Sequence, residues 1–253
     1  MSERKKEIGL ICGFVLIVYA ISAIGYYFWF NYSEVAAFIT ILAPLVGYFI
    51  VSAHINKSDR IHFRFFSWKE MGIGSLIPFS YIIPAICFSV VLSKNCIEYN
   101  SISIGFVIGL ILKWAFAGIC EEIGWRGFLL PSLSKIMGRT PACILCGLIW
   151  GVWHIPLIAR GDIIVQYPMI ISVVVFIIET IAITFIMDSM EGKSVWRFAA
   201  FHAVHNILIQ LSVEILENDS KSLFDDGGAT LVILIVIIAT IMFIRNKRNS
   251  SRG

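Results

Sequence analysis

Residues 102–122 read ISIGFVIGLILKWAFAGICEE, and the only charged residues among them are Lys113, Glu121 and Glu122. A helix needs about 20 apolar residues to cross the hydrocarbon core of a bilayer. We therefore predict that this segment is a membrane-spanning helix, and that it carries its two glutamates to one surface of the membrane.

The whole chain has the same apolar character. Of its 253 residues, 58% are hydrophobic and only 15% are charged, and the mean hydropathy is +0.85. Soluble domains are nearer half apolar and about a quarter charged. We predict an all-α polytopic helical bundle that forms a single integral membrane domain over residues 1–253. Its eight predicted spans have the approximate bounds 8–30, 35–54, 73–93, 102–122, 141–159, 167–187, 195–213 and 229–244.

The positions of lysine and arginine predict an orientation. With a cytoplasmic N-terminus, the outer loops carry only Lys94, Arg160 and Lys221, and nearly all other basic residues fall inside. Because positively charged loops stay in the cytoplasm, we predict a multi-pass protein of the cell membrane with both termini cytoplasmic.

The aromatic and basic residues 61–70 fit either an interfacial segment or a plain loop. No basic cluster is interleaved with aromatic residues in a polar segment, so no nucleic-acid partner is expected.

Ionisable residues inside membrane spans cost about 2.5–3.5 kcal/mol each on insertion scales, so each needs a reason to be there. In this chain they fall on the fourth to seventh predicted spans, which suggests one shared polar site. Hydrogen-bonded pairs inside the bundle are the alternative for any one of them. The residues are Lys113, Glu121, Glu122, Arg126, His154, Glu179, His202 and His205.

The two adjacent glutamates have different neighbours along the helix. Glu122 and Arg126 are four residues apart and share a helix face, so a salt bridge between them is expected. Glu121 then has no local cation, and a carboxylate in a partly apolar site can serve as a general base. A solvated pair at the helix end is an equal alternative. Lys113 and Glu179 are expected to make structural ion pairs, with Glu121 as a further partner for Lys113.

Histidines on two later spans are candidates for the same site. His202 and Asn206 share a helix face and suit either an oxyanion hole or interhelical hydrogen bonds, and His205 competes with them. His154 is followed by Pro156, which loosens the helix locally. A HExxH motif is absent, so a thermolysin-like zinc site has no support.

Three motifs in this order resemble the CPBP family of intramembrane endopeptidases, the CAAX protease and bacteriocin-processing proteins of Abi/Rce1 type. They are Glu121-Glu122-x-x-x-Arg126, Trp150-x-x-x-His154 and His202-x-x-x-Asn206. The resemblance covers about residues 110–210, and Trp150 stands where the family usually has Phe. The short chain suggests a prokaryotic member.

The resemblance implies roles for these residues. Glu121 and His154 activate a water molecule, and His202 and Asn206 form the oxyanion hole. Glu122 completes the catalytic set, and Arg126 supports it. The substrate is expected to be a membrane-associated peptide or protein, cleaved at a site that opens towards the cytoplasm.

The resemblance leaves the need for a cofactor open. The reaction depends either on glutamate alone or on a divalent metal such as zinc, which Glu121, His154 and His202 would hold.

Two other functions remain open. The same pocket suits a non-catalytic membrane protein that binds peptides or acts in immunity or as an adaptor. A small transporter is the weakest alternative, because the sequence has no inverted repeat.

Overall fold

The computed structural model describes residues 3–55, 67–93, 102–163, 167–190, 194–215 and 228–250, and its regular structure is entirely helical within them. A short 3₁₀ turn, Glu34–Ala36, precedes α2, and a π-helical turn, Trp125–Leu129, follows α5. The helices are α1 Glu3–Asn31, α2 Ala37–Ser52, α3 Trp68–Leu76, α4 Phe79–Ser93, α5 Ile104–Gly124, α6 Leu130–Met137, α7 Arg139–Trp153, α8 Ile155–Arg160, α9 Met169–Ser189, α10 Val195–Ile215 and α11 Ala229–Ser250.

The predicted polytopic helical membrane bundle is confirmed. In the described ranges, seven helical segments are long and apolar enough to cross a membrane, and α2 is an eighth, shorter apolar helix. Large apolar side chains face outward, as at Leu16, Val91 and Ile104, which are 70%, 72% and 80% exposed. A surface of this kind needs lipid around it. The predicted span at 35–54 is the one that falls short of a full crossing, and Pro44 lies inside its helix.

Several predictions fall partly outside the described residues. Of the aromatic and basic segment 61–70, only residues 67–70 are described, and α3 begins there at Trp68, with the Ser67 hydroxyl accepting the Glu70 N–H. Two of the basic outer-loop residues, Lys94 and Lys221, lie outside the described residues.

A π-helical turn shapes the helix that bears the glutamates. The apolar segment Ile104–Met137 runs through α5, the π turn and α6. The turn begins at Trp125, three residues after Glu122, and the Trp125 N–H bonds to the carbonyl oxygens of both Glu121 and Glu122. Turns of this type add a residue to the helix and often occur at functional sites.

A break between α7 and α8 sets the position of His154. Pro156 has no N–H to donate to the preceding turn, so the helix cannot continue unbroken. His154 is the junction residue, with φ −89° and ψ −5°. The predicted loosening of the helix is therefore seen as a break, with α7 ending at Trp153 and α8 beginning at Ile155.

Glycines allow the helices around α5 to approach closely. A Cβ atom at Gly118 would lie 2.6 Å from the carbonyl oxygen of Ala199 on α10, and one at Gly124 would lie 2.6 Å from the Pro44 Cβ on α2. Small residues are common at helix contacts in membranes because lipid supplies little hydrophobic drive for helix association. These contacts hold α10 and α2 against the end of α5 that carries the glutamates.

We predict that Gly118→Ala lowers the thermal midpoint of the protein in detergent, because its Cβ would collide with the backbone of α10. Overpacking of this kind costs about 1–3 kcal/mol. Gly109→Ala is the matched control on the same helix, since nothing lies within 4 Å of its Cβ position. Equal midpoints for the two variants would contradict the proposed close contact.

Candidate active site

Glu122 is the centre of a buried polar cluster. Its carboxylate is fully buried, and Oε1 accepts a hydrogen bond of 3.0 Å from the Arg126 guanidinium. The same oxygen lies 2.8 Å from Nδ1 of His202. Arg126 also donates to the Thr184 hydroxyl on α9 at 3.1 Å. The Glu122–Arg126 salt bridge predicted from spacing is confirmed, and the cluster joins α5 to α9 and α10.

Glu121 has a different set of neighbours. It is 4% exposed, and its Oε2 accepts a hydrogen bond of 3.0 Å from the Trp150 indole N–H. Its Oε1 lies 3.9 Å from Nε2 of His202. The His202 ring therefore lies between the two carboxylates, with one ring nitrogen facing each of them.

A cavity of about 630 Å³ adjoins this arrangement. Glu121, His154, His202 and Asn206 all contribute to its lining, so the structure brings these four predicted residues together. Glu122 and Arg126 do not line it and lie behind its wall. The two adjacent glutamates point about 100° apart around the helix, which puts one in the cavity and the other in the bundle interior.

His154 is held by its own helix and by aromatic rings. Its Nδ1 lies 2.9 Å from the carbonyl oxygen of Trp150. A carbonyl only accepts, so Nδ1 carries the hydrogen, and Nε2 of the neutral ring keeps a lone pair. The ring packs against Trp153 and Phe176, with centroid distances of 4.7 and 5.1 Å. These contacts fix the ring at the cavity wall.

His205 also lines the cavity, but it is tied to α4. Its Nδ1 lies 2.8 Å from the Tyr81 hydroxyl, and its ring is stacked on Phe201 with an interplanar angle of 5°. His202 has no such attachment to α4 and is instead bonded to Glu122. The two histidines of α10 are therefore held by different partners, although they are only three residues apart.

Lys113 and Glu179 line the same cavity. The Lys113 ammonium lies 4.4 Å from the centroid of the Trp114 ring, and Glu179 is almost fully buried. The ion pairs expected for Lys113 and Glu179, with each other or with Glu121 as the partner of Lys113, stay a prediction.

Sequence reasoning missed three contributors to the site. The sequence motif gives Trp150 no role beyond its aromatic ring, although a buried indole usually needs an acceptor for its N–H, and that need is a signal for the bond to Glu121. The Arg126 guanidinium also lies 4.2 Å from the centroid of the Trp150 ring. Thr184 and Tyr81 belong to no motif, and nothing in the sequence pointed to them.

The geometry does not favour the metal site that the resemblance allowed. Across the residues described, no three His, Cys, Asp or Glu side chains converge in a way that could hold a metal ion. Glu121, His154 and His202 share the cavity, and Nδ1 of each histidine is bonded, that of His202 to Glu122 and that of His154 to the Trp150 carbonyl. Nε2 is the nitrogen of each ring that remains for another ligand, but the three side chains are not placed as a group that could hold one ion.

Part of this chain, including the residues of the site, is similar to known proteins. Residues 103–208 match the family described as type II CAAX prenyl endopeptidase Rce1-like. CAAX prenyl protease 2 from Methanococcus maripaludis is 28% identical over 161 residues, which is 56% of this chain and 59% of the archaeal protein. The match thus spans about three fifths of that relative's length. The resemblance predicted from the motifs is confirmed, and the apolar helices agree with a multi-pass membrane protein.

We predict that Arg126→Met destabilises the fold strongly, because it leaves the buried Glu122 carboxylate without its cation. Breaking a buried ion pair costs about 3–5 kcal/mol. Thermal unfolding in detergent measures the loss.

The matched control for Arg126→Met is the double variant Glu122→Gln/Arg126→Met, which removes both charges. We expect it to be more stable than Arg126→Met alone, because no uncompensated carboxylate remains. A double variant that loses the sum of the two single effects would show that the residues are not coupled.

Proposed function

We propose that this membrane protein is an endopeptidase that hydrolyses a peptide bond of a membrane-associated protein or peptide with an activated water molecule. One observation carries the proposal. Glu121, His154, His202 and Asn206 line a single cavity, although they come from three separate parts of the chain. The match of residues 103–208 to the Rce1-like endopeptidases and the name of the archaeal relative support the same activity.

Glu121 and His154 activate the water in this proposal. The Glu121 carboxylate takes a proton from water, while Nε2 of His154 accepts the second water hydrogen and orients the oxygen. The oxygen then bonds to the carbonyl carbon of the substrate and gives a tetrahedral intermediate. The Trp150 N–H holds Oε2 of Glu121, which restricts the rotation of the carboxylate. Proton transfer by a positioned group of this kind contributes about 10²–10⁴-fold to a rate.

His202 and Asn206 stabilise the oxyanion of the intermediate. Nδ1–H of His202 is engaged by Glu122, so Nε2 is the nitrogen that faces the reaction. To donate from Nε2 as well, His202 carries a proton on both nitrogens, and a carboxylate faces each of them. The Asn206 amide supplies a second, neutral donor from the same face of α10. Glu121 then returns its proton to the leaving amine as the C–N bond breaks.

The site is proposed to work in the cell membrane and to open towards the cytoplasm. The bias of lysine and arginine towards the loops on one side supports this orientation. In this orientation α5 runs inward and carries Glu121 and Glu122 in its last turn, while α10 begins on the inner side and reaches His202 after two turns. A substrate with a cytoplasmic segment would then reach the catalytic residues from the inner surface.

We predict that His154→Ala, His202→Ala and Asn206→Ala each reduce cleavage by about 10²-fold or more. Loss of one oxyanion donor, His202 or Asn206, costs about 10²–10³ in rate. Loss of His154 removes the acceptor that positions the water for proton transfer, which contributes about 10²–10⁴-fold. The measurement uses proteoliposomes and a quenched fluorescent peptide carrying a prenylated CAAX sequence, beside the same peptide without the lipid.

The matched control for these variants is His54→Ala, because His54 lies at the end of α2 and does not line the cavity. It is expected to cleave normally. Membrane peptides from deletion and wild-type cells provide natural substrates if neither probe is cut. A substrate of the protease should accumulate in deletion cells. If all three alanine variants reverse that accumulation as well as the unaltered protein does, the protein binds without cutting.

Trp150→Phe tests the positioning of Glu121 separately. Phenylalanine keeps the aromatic ring and removes only the indole N–H that holds Oε2. One hydrogen bond is worth about 0.5–1.5 kcal/mol, so we expect kcat to fall roughly threefold to tenfold with little change in KM. Trp153→Phe is the matched control, since its indole N–H bonds to Ser22 instead. Equal kcat for both variants would contradict a positioning role for Trp150.

A further inference from the structure

A second cavity, of about 390 Å³, lies at one end of the bundle and shares no lining residue with the first. It is formed where α3 and α10 begin and where α9 and α11 end. Its polar lining includes Lys69, Glu70, Arg197 and Arg245, and apolar residues such as Ile73 and Met242 complete it. The proposed hydrolysis uses none of these residues.

The charge of this cavity is positive. Among its described lining residues, Lys69, Arg197 and Arg245 are cations and Glu70 is the one carboxylate. Glu70 pairs with Arg197, with 2.7 Å between Oε2 and a terminal guanidinium nitrogen. Lys69 and Arg245 are both exposed, so their charges remain available to a ligand.

Arg197 gives the second indication of a ligand. It is only 5% exposed, and its Nε is buried without a hydrogen-bond partner in the part of the chain that is described. A buried donor left without an acceptor is destabilising. Gly74 packs directly on the Arg197 carbonyl, which holds the start of α10 against α3 and keeps the guanidinium in place. An oxyanion in the cavity would supply the missing acceptor.

The depth of the cavity in the bilayer identifies the source of the oxyanion. Lys69 is the second residue of the span Trp68–Phe88, and Arg197 is the third of Val195–Ile215. Arg245 is three residues before the end of the span Thr230–Arg248. The cations therefore lie at the depth of the lipid headgroups, where basic pockets between helices bind anionic lipids. The apolar lining beside them suits the first part of an acyl chain.

We propose that this cavity binds the phosphate group of an anionic phospholipid between α3, α10 and α11. Arg197 holds the phosphate from the buried side, and Lys69 and Arg245 hold it from the exposed side. Guanidinium groups suit phosphate because their planar donors match its oxygens in pairs. The apolar lining and the depth favour a lipid over a free phosphate ion.

Native mass spectrometry of the full chain in detergent, with added phosphatidylglycerol or phosphatidylcholine, tests the proposal. We expect one phosphatidylglycerol to remain bound and phosphatidylcholine to bind at least about tenfold more weakly. Lys69→Gln and Arg245→Gln should each weaken the binding of phosphatidylglycerol by about tenfold, since each removes a charged donor to the phosphate. Both residues are exposed, so the variants should fold.

Lys247→Gln is the matched control, because Lys247 is an exposed cation on α11 that does not line the cavity. It should bind phosphatidylglycerol normally. Equal binding of the two lipids, or an equal loss of phosphatidylglycerol binding in Lys247→Gln and Arg245→Gln, would overturn the proposal.

Inorganic phosphate is the third probe. If it binds in the cavity while phosphatidylglycerol shows no preference over phosphatidylcholine, the ligand is a free phosphate and the lipid assignment is wrong.

Discussion

The carboxylate of Glu122 is the charge on which the candidate active site depends. It is fully buried in a bundle surrounded by lipid, where an uncompensated charge would be very costly. Arg126 compensates it, and Thr184 and His202 extend the cluster to α9 and α10. The position of the His202 ring follows from its bond to this buried carboxylate, and the network adds to the packing of α10 on α5 that Gly118 allows.

The two neighbouring glutamates have different surroundings because a helix turns about 100° for each residue. Glu122 faces the interior, and Glu121 faces the cavity, where Trp150 holds one of its oxygens and His202 lies near the other. His202 connects the structural carboxylate to the proposed reactive one through the two nitrogens of a single ring. A movement of Glu122 would therefore shift the His202 ring and change its distance from Glu121.

Local spacing in the sequence predicted part of this arrangement. The Glu122–Arg126 contact follows from residues four apart on a helix, and the eight apolar segments follow from composition. The contacts His202–Glu122, Trp150–Glu121 and Tyr81–His205 join residues from different helices and could not be predicted in this way. They depend on how closely the helices approach, for example at Gly118 against Ala199, and no periodicity encodes that distance. The predicted span 35–54 corresponds to α2, Ala37–Ser52, which is shorter than the helical segments that are long enough to cross a membrane.

Glu121→Gln and Glu122→Gln, compared at equal amounts of folded protein, test the different roles of the two glutamates most directly. Both the cleavage rate in proteoliposomes and the thermal midpoint in detergent are measured. We expect Glu121→Gln to lose cleavage and keep its midpoint, because a carboxamide cannot take a proton from water. We expect Glu122→Gln to have a lower midpoint, because the Arg126 guanidinium loses its partner, and its folded fraction to keep part of its activity. An active Glu121→Gln, or an inactive Glu122→Gln with an unchanged midpoint, would contradict the division of roles between the two glutamates.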